Sequence, residues 1–139
     1  MEAADVRIIA SSNQFSHEYN GWESWTNVPH EQERMIQLIQ KTKANGVVFI
    51  SGDVHWGEIS KKNWSNGYPI YDVTSSGLIQ TWPNLEPNKN RIGPAVPQNN
   101  IGLIEIGKHN ESIIIGMAII DSTKLPVANA HISLSDISF

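Results

Sequence analysis

The apolar positions of this chain form short runs, and several of these runs end in a polar turn. Val6–Ala10, Val47–Ile50 and Tyr68–Val73 are rich in residues that favour β-strands. The second run has four apolar residues without alternation, which is typical of a strand covered on both faces. We therefore predict three strands, each of which delivers polar residues where it ends.

The segment before the second strand predicts a helix. Pro29 opens it, acidic residues occupy its first turn, and Asn45-Gly46 is a stop signal. Because apolar residues recur at helical spacing, the helix, Glu31 to Asn45, is expected to pack on a sheet whose inner strand is Val47–Ile50. Its predicted core residues are Met35, Leu38 and Ile39.

Three further segments differ in pattern. Residues 15–29 are aromatic and polar without a period, and loops longer than about 12 residues in a domain tend to be functional. Residues 80–100 hold four prolines and many asparagines, which predicts irregular, exposed chain. Successive antiparallel strands are predicted in the tail, at Ile101–Ile106, Ser112–Ile119 and Ala130–Leu134.

The order of these elements predicts the fold class. We expect one domain over residues 1–139, of the α/β or α+β class, with a mixed sheet, a helix and an antiparallel, β-rich tail. The longest apolar run, Ile113–Ile120, is far too short to cross a bilayer, so no membrane partner is expected.

Charge and composition narrow the function classes. The net charge is −4 and the charges are scattered, so no basic surface for nucleic acid is predicted. The chain has no cysteine, which leaves metal binding to oxygen and imidazole ligands. Met1–Asp5 has no basic region followed by an apolar stretch, so no secretion signal is predicted and the localisation stays open.

The segment Ser51-Gly52-Asp53-Val54-His55 is the main candidate for chemistry. A carboxylate and an imidazole, two positions apart, lie on the turn that leaves a strand. This pair suits zinc, iron or manganese, and oxygen ligands alone suit calcium. The alternative is a structural one, in which Asp53 caps the turn and His55 is a hydrogen-bonded side chain.

Four segments together resemble, in order and spacing, the C-terminal half of alkaline phosphatase D-like enzymes. They are Ile8–Gln14, Trp25–Arg34, Gly46–His55 and Thr74–Gly77, and the resemblance covers most of residues 5 to 107. It implies the C-terminal half of a four-layer, calcineurin-like metallophosphoesterase sandwich. It also implies hydrolysis of phosphomonoesters or phosphodiesters with divalent or trivalent metal ions, which could be calcium, iron, manganese or zinc.

The resemblance also implies roles for individual residues. Asp53 and His55 correspond to metal ligands and catalytic residues. Asn13 and Gln14 are candidates for orienting phosphate or water, and a capping amide is the alternative. Glu58 is a candidate carboxylate behind the metal ligands that would fix the imidazole tautomer by a hydrogen bond, and a solvent-exposed glutamate is the alternative.

Aromatic and basic residues are candidates for substrate binding. Trp25, together with Trp22 and Glu23, is expected to line a cleft wall, although large aromatic residues are more often core residues. Arg91, on the proline-rich segment, is a candidate contact for an ester oxygen, and a solvated loop arginine is the alternative.

The sequence departs from the alkaline phosphatase D-like pattern because the ligand-rich N-terminal half has no counterpart in it. We therefore expect several metal ligands to be missing and activity on phosphate esters to be weak or absent. We expect the domain to be completed by the N-terminal half, or the chain to associate with copies of itself. The alternative function is a non-catalytic α/β module that binds a ligand or partner through its aromatic loop.

Overall fold

The computed structural model describes residues 4–18 and 21–139. The first three residues of the Met1–Asp5 segment, in which no secretion signal is predicted, lie outside the described residues. Within those ranges the chain has one α-helix and eight strands, with short 3₁₀ turns at Trp25–Asn27 and Leu134–Ile137. No helix there is both long and apolar enough to cross a membrane. The elements are β1 (Arg7–Ala10), α1 (Pro29–Thr42), β2 (Val47–Ser51), β3 (Gly57–Lys62), β4 (Ile70–Ser75), β5 (Arg91–Val96), β6 (Asn100–His109), β7 (Ser112–Asp121) and β8 (Pro126–Ser133).

The strands form two sheets. The five-stranded sheet has the order β1-β2-β4-β3-β5, in which β1, β2 and β4 are parallel and β3 and β5 are antiparallel to their neighbours. The three-stranded antiparallel sheet has the order β6-β7-β8. The predicted mixed α and β class, the mixed sheet and the antiparallel tail are thus confirmed. The predicted inner strand is also confirmed, because β2 lies between β1 and β4.

Helix α1 ends three residues before the predicted stop. Lys43 adopts the left-handed conformation with φ 49°, and its backbone N–H donates to the carbonyls of the last turn. Ile36 and Ile39 join the hydrophobic cluster that contains Val47 and Phe49 of β2. The prediction that Leu38 is a core residue is wrong, since its side chain is 54% exposed. At 3.6 residues per turn, Leu38 lies about 100° around the helix from Ile39 and misses the buried stripe.

Strand β5 corrects the prediction that residues 80–100 are irregular throughout. Residues 91–96 pair with β3, although they include a glycine and a proline. Pro94 is tolerated because β5 is an edge strand of this sheet. The register shifts between Gly57 and Ile59, and Gly93 has φ 68°, so the extra residues form a bulge. The bulge removes the period-2 pattern by which a strand is normally detected.

The long segment after β1 is anchored in the core. Phe15 is fully buried, and its ring stacks on Phe49 with 3.9 Å between the centroids. Gln32 of α1 donates a hydrogen bond to the carbonyl of Phe15 at 2.6 Å. The start of this loop is therefore fixed between the helix and the sheet, which in turn fixes the residues just before Phe15.

Candidate functional site

The polar turns that follow three parallel strands meet at one edge of the five-stranded sheet. Since β1, β2 and β4 are parallel, their carboxyl ends lie side by side. The backbone N–H of Gly52 donates to the carbonyl of Ser12 at 3.3 Å, and the N–H of His55 donates to Ser76 Oγ at 2.9 Å. The carboxyl edge of a parallel sheet is where α/β proteins commonly bind ligands.

The turn after β2 has an uncommon backbone. Asp53 has φ 75° and His55 has φ 64°, and both values lie in the left-handed region that few non-glycine residues adopt. The N–H of Trp82 donates to the carbonyl of His55 at 3.0 Å, which holds this conformation together with the bond to Ser76. Asp53 is exposed and His55 is partly exposed. Conformations of this kind concentrate at binding and catalytic sites.

Asn13 contacts one of the predicted metal ligands. Its Nδ2 donates to Asp53 Oδ2 at 3.1 Å, and its Oδ1 accepts from Ser12 Oγ at 2.7 Å. The side-chain oxygen of Asn13 is thus oriented by Ser12 while its amide nitrogen orients the carboxylate. Asn13 is therefore in contact with Asp53, and His55 lies two residues further along the same turn.

Asp53 and His55 also line a pocket of about 280 Å³. Its other walls come from two parts of the chain, the aromatic loop after β1 and the proline-rich segment before β5. Trp22 and Glu23 were predicted as part of a cleft wall, and both line this pocket. The remaining lining residues are Val54, Trp56, Gln80 and Trp82.

Trp25 lies beside this pocket rather than in it. Its Nε1 donates to Ser11 Oγ at 2.9 Å, and its ring meets the edge of Phe15 with 5.1 Å between the centroids. Trp25 lines a neighbouring hollow of about 540 Å³ together with Asn13 and Glu23. It is therefore close to the candidate site through Asn13, while part of its ring packs in the core.

Three other predicted site residues contact one another, with Gln14 and Glu58 in the interior and Arg91 partly buried beside them. Gln14 and Glu58 are fully buried, and Gln14 Nε2 donates to Glu58 Oε1 at 2.7 Å and to Thr74 Oγ1 at 3.0 Å. Arg91 Nε donates to Glu58 Oε2, and Arg91 Nη2 donates to the carbonyl of Glu86 at 2.7 Å. The structure thus separates the predicted site residues into a surface group and this interior group.

Asp72 is a further buried polar residue near this group, and the sequence did not indicate it as a site residue. Asp72 is fully buried, and its carboxylate accepts hydrogen bonds from the N–H groups of Phe15 and Ser16 and from Ser51 Oγ at 2.6 Å, 3.0 Å and 2.6 Å. Burial raises the pKa of Asp72, and these hydrogen bonds oppose the increase. Asp72 fastens the chain after β1 onto β4 and so positions Asn13.

His17 is a second buried titratable residue near Glu58. Its Nε2 lies 3.4 Å from Glu58 Oε1, and neither ring nitrogen has a hydrogen-bond partner among the described residues. Burial lowers the pKa of His17 and outweighs the attraction of Glu58, while Arg91 lowers it further. His17 is therefore neutral at pH 7. The interior next to the site thus holds four buried polar residues, with the partly buried Arg91 beside them: Gln14, His17, Glu58 and Asp72.

The donors on the turn fit part of a metal site. Among residues 4–18 and 21–139, no three histidine, aspartate or glutamate side chains are grouped so that they could hold an ion. Asp53 offers carboxylate oxygen and His55 offers imidazole nitrogen, a combination that transition metals accept. Because such metals normally have four or more ligands, these two side chains alone do not complete a coordination sphere.

Two contacts at the site were not found from the sequence. Ser76 Oγ accepts from the backbone of His55, and the backbone of Trp82 donates to the same residue. Ser76 lies in a polar turn that the sequence predicts at the end of a strand, so its position could have indicated that it lies near the site. Trp82 is an isolated tryptophan in a proline-rich segment, and no local pattern connects it to residue 55.

Comparisons with protein-family models, with curated proteins and with solved structures found no match to this chain. Function is therefore inferred from the residues of the turn and from their surroundings.

Proposed function

We propose that this chain supplies Asp53 and His55 to the metal centre of a phosphoric ester hydrolase of the alkaline phosphatase D type. Its substrates would be phosphomonoesters or phosphodiesters. The observation that carries the proposal is the left-handed turn after β2, which presents both side chains beside one pocket at the carboxyl edge of the sheet. Strained backbone and convergent polar groups in a pocket are the usual marks of a functional site.

The residues in and around the turn would have different roles at such a centre. Asp53 and His55 hold the ion, which could be calcium, iron, manganese or zinc, and Asn13 keeps the Asp53 carboxylate in place through its hydrogen bond of 3.1 Å. When bound, the ion supplies positive charge against the phosphoryl oxygens and activates water for attack. Ser76 and Trp82 hold the backbone of the turn by their bonds to His55.

The same proposal assigns the remaining ligands to the N-terminal half of a four-layer sandwich. Exposed apolar residues support it, because Ile8 on β1 is 42% exposed and Ile101 on β6 is 51% exposed. A hollow of about 510 Å³ between the two sheets is bordered by Ile50, Ile101 and Ile104. Parallel strands are normally covered on both faces, and exposed apolar surface commonly marks an interface. A second copy of the chain is the other candidate for covering this surface.

Metal binding and hydrolysis test the proposal together. The purified chain would be analysed for bound metal after incubation with manganese, zinc, iron or calcium, and then assayed on an aryl phosphate and its diester. We expect metal binding that is lost in His55→Ala and Asp53→Asn and kept in His109→Ala, whose histidine lies on the exposed end of β6. Hydrolysis is expected to be weak or absent, because two protein ligands leave the ion loosely held.

Two results would contradict parts of this account. Equal metal content in wild type, His55→Ala and Asp53→Asn would remove the turn from the metal site. Robust hydrolysis that His55→Ala abolishes would show that the site is complete without further ligands.

A non-catalytic ligand-binding module is the second candidate function. The pocket favours it, since three tryptophans line a space that needs no metal to exist. Ligand binding by metal-free protein, combined with no metal binding at the turn, is the result that would select this alternative.

A further inference from the structure

The pocket beside the turn has a lining that favours positive charge. Three tryptophans, Trp22, Trp56 and Trp82, line it together with the acidic residues Glu23 and Asp53, and no lysine or arginine is among the described residues that line it. The face of an indole ring carries partial negative charge and attracts cations more strongly than the other aromatic side chains do. Both kinds of wall therefore attract a cation, and neither repels one.

The tryptophans differ in depth. Trp56 is 1% exposed and lies at the bottom of the pocket, whereas Trp82 is 38% exposed and Trp22 is 56% exposed at its rim. The backbone bond from Trp82 to the carbonyl of His55, at 3.0 Å, ties the rim to the turn. The pocket is therefore attached to a fixed part of the sheet edge.

Within the described ranges, no lysine or arginine lies over the Trp82 ring. Over residues 4–18 and 21–139, neither the Trp56 ring nor the Trp82 ring stacks on another aromatic ring or lies beneath a lysine or arginine. Trp64 provides the contrast, because Lys62 Nζ lies 4.5 Å from the centroid of its ring. The Trp82 ring, which is 38% exposed, thus remains available to a cation from outside.

We infer that this pocket binds a small alkylammonium group, such as a trimethylammonium head. Its volume of about 280 Å³ is large enough for a compact head group of this kind. Binding of the cation requires no metal. Only its assignment as the alcohol part of a phosphate ester rests on the proposed function.

Choline and its neutral isostere 3,3-dimethylbutan-1-ol separate charge from shape. Both would be titrated into the metal-free full chain by calorimetry, with tryptophan fluorescence as a second readout. We expect choline to bind roughly three- to thirtyfold more tightly than the isostere, which is the range of cation–π contributions. The isostere fills the same space but lacks the positive charge.

Three variants locate the effect. Trp82→Leu is expected to weaken choline binding roughly three- to tenfold, because it removes one indole face and keeps an apolar side chain. Glu23→Gln is expected to weaken choline and leave the isostere unchanged, since it alters charge at nearly constant shape. Ile79→Ala is the control, because Ile79 is 92% exposed near the pocket without lining it.

Equal affinity for choline and the isostere would overturn the inference, as would choline binding that neither Trp82→Leu nor Glu23→Gln changes. Failure of the proposed function would look different, because metal content would then be independent of His55 while the preference for choline persisted. The two proposals can thus fail separately.

Discussion

Asp72 lies within β4 and Asp53 follows the neighbouring parallel strand β2, but the two carboxylates have opposite surroundings. Asp72 is fully buried and accepts three hydrogen bonds, two of which fix the loop after β1. Asp53 is exposed, has a left-handed backbone and receives a hydrogen bond from the Asn13 side chain at 3.1 Å. The first carboxylate stabilises the fold, and the second remains accessible to a ligand.

The two histidines of this region repeat the contrast. His17 is fully buried beside Glu58, and burial lowers its pKa so that it stays neutral. His55 is partly exposed on the turn and lines the pocket. Residue type alone therefore does not separate structural from binding groups here. Their burial and backbone conformation do.

The largest expected effect is the loss of stability in Asp72→Ala. This change leaves the N–H groups of Phe15 and Ser16 without their acceptor in the interior, while Ser51 Oγ keeps only its hydrogen bond with Thr74 Oγ1 at 2.9 Å. At about 1 to 3 kcal/mol for each unsatisfied group, partly relieved by relaxation, we expect unfolding to become easier by about 3 to 5 kcal/mol. Urea unfolding measures it. Asp53→Asn is the control, with an expected change within about 0.5 kcal/mol because asparagine also tolerates the left-handed backbone of this exposed position, and equal losses in both variants would remove the contrast.

Helix α1 offers the same contrast between buried and exposed side chains at a slightly smaller magnitude. Ile39 is 5% exposed and Leu38 is 54% exposed. We expect Ile39→Ala to lower the free energy of unfolding by about 2 to 4 kcal/mol, because it leaves a cavity, and Leu38→Ala to lower it by less than about 1 kcal/mol. Thermal or urea unfolding of both variants checks this. A loss above about 1 kcal/mol for Leu38→Ala would show that an interface covers Leu38 in solution.

The smallest effect concerns pH. The pKa of His17 in the folded chain lies below its ordinary value of 6.5, so the unfolded chain takes up a proton first as the pH falls. Stability is therefore lost as the pH drops below 6.5 toward the folded pKa. The raised pKa of Asp72 acts in the opposite sense, since its contribution is lost as the pH rises above 3.8.

Urea unfolding at pH 7.5 and at pH 5 would be compared between wild type and His17→Gln. Other titrating groups are common to both proteins, so the difference reports on His17. We expect wild type to lose more stability than the variant over this interval, and an equal loss would mean that His17 does not resist protonation.

Much of the fold could be predicted from local patterns. The apolar run of β2, the helix signals of α1 and the alternation of the tail strands depend on neighbouring residues in the sequence. The strand β5 was missed because its bulge at Gly93 and its proline replace the usual alternation. Leu38 was wrongly predicted as a core residue, because the sequence does not show whether an apolar residue at the edge of the helical stripe is buried or exposed.

The candidate site shows a similar division. Asp53, His55 and Asn13 could be predicted because each follows a recognisable strand, and parallel strands bring such ends together. The buried position of Gln14 and Glu58 could not be predicted, because it depends on Thr74 and Arg91, which are distant in the sequence. Trp82 was missed for the same reason.

The most direct test of the account is a manganese titration followed residue by residue by NMR. The paramagnetic ion broadens the amide signals of nearby residues. At substoichiometric manganese, we expect selective broadening at residues 12–14, 52–56 and 76, with the exposed turn at residues 108–111 unaffected. The broadening should disappear in His55→Ala. Broadening centred on another part of the chain, or unchanged broadening in His55→Ala, would contradict the assignment of the metal to this turn.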